Sequence, residues 1–179
     1  MERVLAHRFF NPDGQLRYFE SIDEKMEAFV HRQTVTLTKA INVGNSDEVQ
    51  ALFDHGAVHV RMADSIIRSA FVGDVAVMQV ILNEIPDAWP HKVRRDYLDQ
   101  RTSLGLTAYM IACACGHNSI AKMLEAKGCT IGLTNSSGET GQQLAARAEQ
   151  EAEQAQLTPY NHEHNIHLGC ETLDSYLDM

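Results

Sequence analysis

The chain has 179 residues, 44% hydrophobic and 22% charged, a balance that predicts one folded domain with an apolar core. Of the formal net charge of −9, residues 138–179 carry −7, from eight acidic side chains and one basic one, and such a segment repels nucleic-acid phosphates. No apolar run approaches the roughly 18 residues of a membrane-spanning helix, and the N-terminus lacks a signal-peptide pattern. We therefore expect a cytoplasmic protein that binds neither nucleic acid nor membrane.

Residues 1–33 are predicted to form an arm and a capping helix. The sequence Asn-Pro-Asp-Gly at residues 11–14 is a strong turn signal, which favours a hairpin or a hooked arm. Ser21 and Glu24 have the spacing of a capping box, so the helix is predicted to begin at Ser21. Its apolar side chains are expected to face the rest of the protein; they are Ile22, Met26, Phe29 and Val30.

A pattern centred on glycine recurs at Gly44, Gly73 and Gly116. An amphipathic segment of about ten residues follows each glycine, as expected for a helix. A small residue lies four positions before each one, which lets a short helix approach its neighbours; these residues are Ala40, Ser69 and Ala112. The pattern predicts a helix, a left-handed glycine turn and a second helix in each unit.

The segment after residue 104 carries the most specific motif. Gly105 is followed by Thr107, and the same pair recurs 33 residues later as Gly138 and Thr140, where each threonine can cap a helix. Residues 105–128 resemble the ankyrin repeat family, although the proline that usually follows the threonine is absent and the first two units lack the Gly-x-Thr opening. The resemblance implies an all-α helix-turn-helix solenoid of about four units over residues 34–157, with a helical cap at each end.

An insertion interrupts this pattern at residues 83–101, because Gly73 and Gly116 are 43 residues apart whereas Gly44 and Gly73 are 29 apart. It contains the single tryptophan, Trp89, and a basic group that includes Arg94 and Arg95. One interpretation is an extra helix after Pro90 that packs on the stack with Trp89 as its anchor. The other is an interface, where tryptophan and arginine concentrate binding energy. The two interpretations are compatible, because a packed helix can also present an interface.

The cysteines and histidines raise the question of a metal or nucleophile site. Cys113 and Cys115 on one helix would point about 200° apart, which is wrong for chelation. In the repeat interpretation Cys113 fills space between helices, and His117 bonds to backbone of the adjacent unit. The four cysteines are too dispersed for a disulfide framework, so we expect reduced thiols.

The chain is predicted to end in a helix and then an acidic tail at residues 158–179. This tail contains His162, His164, His167 and Cys170, which are suitable metal ligands at a spacing that matches no known module. We expect a solvated tail without metal or cofactor. The alternative is a metal-binding or cysteine-dependent protein that uses Cys115 or this tail cluster.

The family resemblance implies a non-catalytic module or adaptor that binds another protein, and we expect it to be a monomer. Its acidic end is also similar to that of secreted bacterial effectors, which would place it inside a host cell, bound to a host protein. The candidate contact residues are Phe71, Val72, Trp89, Arg94, Arg95, Ser103, Leu104, Leu106, Ala114, Cys115, Ser136, Ser137 and Glu139.

Overall fold

The computed structural model describes residues 17–56, 58, 64–86 and 88–157. This part of the chain is all-α, as predicted, and contains eight helices and no strand beyond an isolated bridge between Thr134 and Thr140. The helices are α1 (Arg17–Val43), α2 (Ser46–Asp54), α3 (Ser65–Val72), α4 (Val75–Asn83), α5 (His91–Leu98), α6 (Ala108–Ala114), α7 (Asn118–Lys127) and α8 (Gly141–Leu157). None of them is both long enough and apolar enough to cross a membrane.

The helices contact one another in two series. In the first series, α1 packs on α3, α3 on α6 and α6 on α8. In the second, α2 packs on α4 and α4 on α7. Three pairs of helices that follow one another in the chain connect the two series: α1 packs on α2, α3 on α4 and α6 on α7. The core lies between the series and is formed largely by aliphatic side chains.

The predicted glycine turns separate the two helices of each of these pairs. Gly44, Gly73 and Gly116 have φ of +73°, +83° and +73°, in the left-handed region that costs other residues more than glycine. The backbone N–H of Gly73 donates to the carbonyl of Ser69 at 3.1 Å and closes α3. The small residues that precede these turns are all buried, as the sequence predicts; they are Ala40, Ser69 and Ala112.

The N-terminal helix differs from the prediction. Helix α1 continues without a break from Arg17 to Val43, so Ser21 lies inside it and is not an N-cap. No glycine or proline interrupts residues 17–43, and the hydroxyls of Thr34 and Thr36 donate to carbonyls four residues earlier, which accommodates them within the helix. The helix therefore crosses the predicted boundary after residue 33.

The side chains expected to face inward from this helix also need correction. Phe29 and Val30 are 48% and 45% exposed, whereas Leu37 and Ile41, about two to three turns further on, are fully buried. The side chains of Ile22 and Met26 lie outside the described part of the structure, as do the predicted arm at residues 1–16 and the tail at residues 158–179. Helix α8 occupies the predicted position of the C-terminal helix.

Candidate functional site

Two tight loops precede α6 and α8, at residues 99–107 and 128–140. In the first loop, the N–H of Thr102 donates to the carbonyl of Leu106 and the N–H of Gly105 donates to that of Thr102, each at 2.9 Å. In the second, Asn135 Oδ1 accepts from the N–H groups of Ser137 and Glu139, also at 2.9 Å. Both loops are thus closed by their own hydrogen bonds.

Each loop ends at a threonine that caps the next helix, which confirms the prediction from the repeated Gly-x-Thr. Thr107 Oγ1 accepts from the N–H of Met110 at 3.3 Å. At the start of α8, Gln143 Oε1 accepts from the N–H of Thr140 at 2.8 Å, while Thr140 Oγ1 accepts from the N–H of Gln143 at 3.4 Å. This reciprocal pair is a capping box.

The two loops lie directly against each other. The N–H of Ser136 in the second loop donates to the carbonyl of Leu104 in the first at 3.0 Å. A Cβ atom on Gly105 would lie 3.0 Å from the backbone nitrogen of Ser136, so the approach is as close as a glycine permits. The two loops therefore present a joint surface.

Four of the predicted contact residues lie at the tips of these loops. Ser103, Ser136 and Ser137 are exposed, and Leu104, at 36% exposed, is the apolar member. These four residues are called the loop surface below. Leu106 is only 7% exposed and belongs to the core, so its prediction as a contact residue is wrong. It lies two positions from Leu104, on the side of the loop that enters α6.

Glu139, another predicted contact residue, is held by neighbours within the chain. Its Oε1 accepts from Arg147 Nη1 at 2.6 Å, and its Oε2 accepts from Asn135 Nδ2 at 3.1 Å. Arg147 also approaches Glu151 at 3.7 Å. Because both carboxylate oxygens of Glu139 are hydrogen-bonded within the chain, this residue stabilises the second loop.

The ends of α3 and α6 carry the remaining predicted positions of the stack. Phe71, Val72, Ala114 and Cys115 are partly buried and pack against the core. The ring Nε2 of His117 lies 3.2 Å from the carbonyl oxygen of Phe71, which confirms the prediction that His117 bonds to the backbone of the adjacent unit. This bond joins the turn after α6 to the end of α3.

The three cysteines in the described part of the chain differ in burial and in bonding. Cys113 is buried, as predicted, and both it and Cys129 are free. Cys115 is disulfide-bonded, so the expectation of reduced thiols is wrong at this residue. Burial raises the pKa of Cys113 above its usual range. Burial, followed by the nearby charge of Asp99, raises the pKa of Cys129 to about 12.

These pKa shifts keep both free thiols protonated at neutral pH. Since the thiolate is the nucleophile and the metal ligand, neither group is prepared for such chemistry. Tyr109 is affected in the same way, because burial and the adjacent Cys113 raise its pKa to about 12. Among the described residues no cluster of His, Cys, Asp or Glu has the arrangement of a metal site. The tail cluster at His162–Cys170 lies outside them.

The insertion forms the extra helix α5, with Pro90 at its N-cap as one of the two interpretations requires. Tyr97 and Leu98 on its inner side are buried. The ring of Trp89 contacts that of Tyr97 edge to face, with centroids 5.8 Å apart and an interplanar angle of 79°. Trp89 is therefore partly buried and packs against the core.

The exposed side of α5 carries more basic than acidic groups. His91, Lys92 and Arg95 are exposed there together with one acid, Asp96, and Arg94 is partly buried. Lys92 and Arg95 form no ion pair with any other residue that the structure describes. Of the three predicted contact positions in and next to α5, which are Trp89, Arg94 and Arg95, Arg95 is thus the most accessible.

Sequence reasoning missed two residues that connect these parts, Asp99 and Arg101. Asp99 bonds to Thr130 and Arg101 bonds to Thr134, across 31 and 33 residues. The signal was present, because these separations are close to the 33 residues between Thr107 and Thr140. A search for polar pairs at the repeat spacing would have found them.

No family model matches the chain, and no curated protein matches it. Solved structures do match, 207 chains in all. One belongs to the crystal structure of the yeast ribosomal protein Rps3 in complex with its chaperone Yar1; it has a TM-score of 0.59 and 15% sequence identity, and the match covers 74% of this chain and 97% of that one. A fold shared by so many structures does not select a function, which has to be argued from the surface of this chain.

Proposed function

We propose that this chain is a non-catalytic protein-interaction module, built as an ankyrin-like stack of helix pairs, that binds another protein through the loop surface. The support for the stack is the serial contact of three helix pairs and the 33-residue interval between equivalent loops. The observation that carries the binding role is the direct contact of the two loops, which brings Leu104 and the exposed serines together.

The chemistry of the loop surface suits a protein partner. An apolar anchor surrounded by small polar groups is the composition of a protein interface with a dry centre and a hydrated rim. Serine adds hydroxyl donors and acceptors at little conformational cost. Phe71, Val72 and Cys115, at the ends of α3 and α6, are the proposed extension of this surface.

Charge indicates what the partner presents near α5. The chain has a net charge of −9, yet Lys92 and Arg95 are exposed side by side on the outer face of that helix. Arg95 is a predicted contact residue, and an exposed guanidinium is suited to carboxylates. We propose that an acidic segment of the partner lies there, and that Trp89 contributes by holding α5 in place.

The solved structure described above is compatible with this role. That structure is a complex of a ribosomal protein with its chaperone, so a chain with a similar fold takes part in a protein–protein assembly. At 15% identity this similarity says nothing about which partner the present chain binds.

Site-specific photo-crosslinking tests the proposal. A benzophenone amino acid at Ser137, in the loop surface, is expected to capture one specific protein from a lysate of the source cells. The matched control places the same group at Gln79, which is exposed on α4 in the other helix series. The protein captured from position 137 is then purified for binding measurements with the unlabelled chain.

With that purified partner, Leu104→Ala is expected to weaken binding by about tenfold or more, as hot-spot residues do. Val75→Ala is the control, since Val75 is also exposed and apolar but lies on α4. Equal affinity of the two variants, or crosslinking only from position 79, would contradict the proposed surface.

Two further predictions concern the tail and remain separate from this surface. Translocation into a host cell is tested with a chain that lacks residues 158–179. We expect this shortened chain no longer to be exported into the host cell.

Metal analysis of the intact and shortened chains tests the alternative in which the tail histidines bind zinc. Stoichiometric metal that disappears with the tail would favour the metal-binding alternative over the adaptor.

A further inference from the structure

We infer that the inserted helix α5 is a brace that sets the position of the second loop relative to the first, with Asp99 and Arg101 as its positioning residues. The functional meaning of the two loops rests on the function proposed above. The brace itself rests on contacts that are independent of any partner.

The first step is the anchorage of α5 on the helix stack. Its inner residues Tyr97 and Leu98 are fully buried. The hydroxyl of Tyr97 lies 3.3 Å from Ser65 Oγ, a buried hydroxyl at the start of α3, and Trp89 packs edge to face on the Tyr97 ring. A buried hydroxyl pair is costly to separate, because each group would lose its partner without gaining water. The C-terminal end of α5 is therefore fixed with respect to α3.

The second step is the connection from α5 to the second loop. Asp99 follows α5 directly as its C-cap residue. Its Oδ1 accepts from the N–H of Thr130 at 2.8 Å, and its Oδ2 accepts from Thr130 Oγ1 at 2.5 Å. Both carboxylate oxygens thus bind one residue, and hydrogen bonds to a charged acceptor are about twice as strong as neutral ones.

The third step is a second connection, two residues further on. Arg101 Nη1 donates to the carbonyl of Thr134 at 2.8 Å and approaches the carbonyl of Gly105 at 3.4 Å. One guanidinium therefore contacts both loops. Thr130 and Thr134 flank the first half of the second loop, so its path from α7 is held at two points by residues of the insertion and its exit.

Together these contacts join the end of the insertion to Thr130 and Thr134 of the second loop, outside the four residues of the loop surface. Without Asp99 and Arg101, the second loop would retain its own turn bonds through Asn135 and the packing of Leu133 on the core. The hydrogen bond from Ser136 to Leu104 would then be the backbone bond that still joins it to the first loop. The insertion thereby determines whether Leu104 and the exposed serines form one surface or two separate tips.

The N–H of Ser136 is a direct reporter of this arrangement, because its acceptor is the carbonyl of Leu104 in the other loop. Its hydrogen exchange is measured by NMR on the full chain. Asp99→Ala and Arg101→Ala are each expected to accelerate the exchange by about tenfold, as the loss of a hydrogen bond to a charged group predicts. Asp99→Asn, which keeps an acceptor for the N–H of Thr130, is expected to restore most of the protection.

The controls separate positioning from general stability. The N–H of Met78 in α4 donates to the carbonyl of Asp74, far along the sequence from both loops, and its exchange is expected to stay within about twofold of the wild type in these variants. Glu84→Ala removes another long-range side-chain bond, from Gln50, and is expected to leave Ser136 unchanged.

Either of two results would overturn the brace. One is protection of Ser136 that is unaltered in Asp99→Ala. The other is equal acceleration at Ser136 and Met78, which would make Asp99 a general stability residue. Because no partner enters the measurement, failure of the brace and failure of the proposed function are distinguished. The first appears in Ser136 exchange, which is then unaltered in Asp99→Ala or no faster than that of Met78. The second appears only in the binding measurement, where Leu104→Ala then keeps the affinity of its control.

Discussion

The contact between Gly73 and His117 provides a sharp test of how the helix pairs are stacked. Gly73 has a φ of +83°, and a Cβ atom built on it would lie 2.4 Å from Cε1 and Nε2 of the His117 ring. That ring is the one that bonds to the carbonyl of Phe71 at 3.2 Å. Gly73→Ala therefore combines a backbone strain with the displacement of an imidazole.

The two costs can be estimated separately. Placing alanine in the left-handed region costs about 1–2 kcal/mol, of which the smaller entropy of the unfolded chain returns about 0.4–1 kcal/mol. Displacing a packed ring costs about 1–3 kcal/mol. We expect Gly73→Ala to lower the free energy of unfolding by about 2–4 kcal/mol.

Gly116→Ala is the matched control. Gly116 ends the first helix of the next pair with a φ of +73°, yet a Cβ there would meet nothing within 4 Å. It should cost only the backbone part, about 1 kcal/mol. Urea unfolding of both variants measures the difference, and the double variant Gly73→Ala with His117→Ala should show coupling. Equal losses for the two single variants would refute the contact.

Three further predictions follow from local environments. Gly141→Ala at the start of α8 should lower stability by about 1–3 kcal/mol in thermal unfolding, since its Cβ would lie 2.7 Å from Tyr109 Cε1, whereas Gly132→Ala, with nothing within 4 Å, should be nearly neutral. Thr107→Ala removes a buried N-cap and should cost about 1–2 kcal/mol, measured by urea unfolding; no loss would contradict the capping bond. For Cys129, the pKa of 9.0 rises to about 12 on folding, so the folded state holds this proton more tightly: its contribution to stability is complete below about pH 9 and is lost as the pH rises from there towards 12. Alkylation of the native chain should accordingly stay slow up to pH 9, and a thiol that titrates near its ordinary value would contradict this.

Much of the helical pattern was predictable because its signals are local. The glycines at positions 44, 73 and 116 need only their own backbone conformation to end a helix, and Thr107 and Thr140 need only the N–H groups a few residues ahead. The same holds for α8. Such features depend on neighbours within about one helical turn, which a sequence pattern records directly.

The errors arose where a local signal competed with its surroundings. Ser21 and Glu24 have the spacing of a cap, but α1 had begun earlier, and a helix in progress overrides a later start signal. Leu104 and Leu106 are both apolar and two positions apart, and only the path of the loop decides that Leu106 enters the core. Residue type alone does not distinguish them.

By itself, the sequence determined that this chain forms short helices joined by left-handed glycine turns, that small residues line the helix contacts, and that thiols such as Cys113 are filling rather than reactive. Tertiary structure alone decided that Trp89 anchors a helix, that Asp99 and Arg101 hold the following loop, and which loop side chains remain at the surface. The physical reason is range: the first set depends on bonds within a few residues, and the second on atoms that folding brings together from about 30 residues apart.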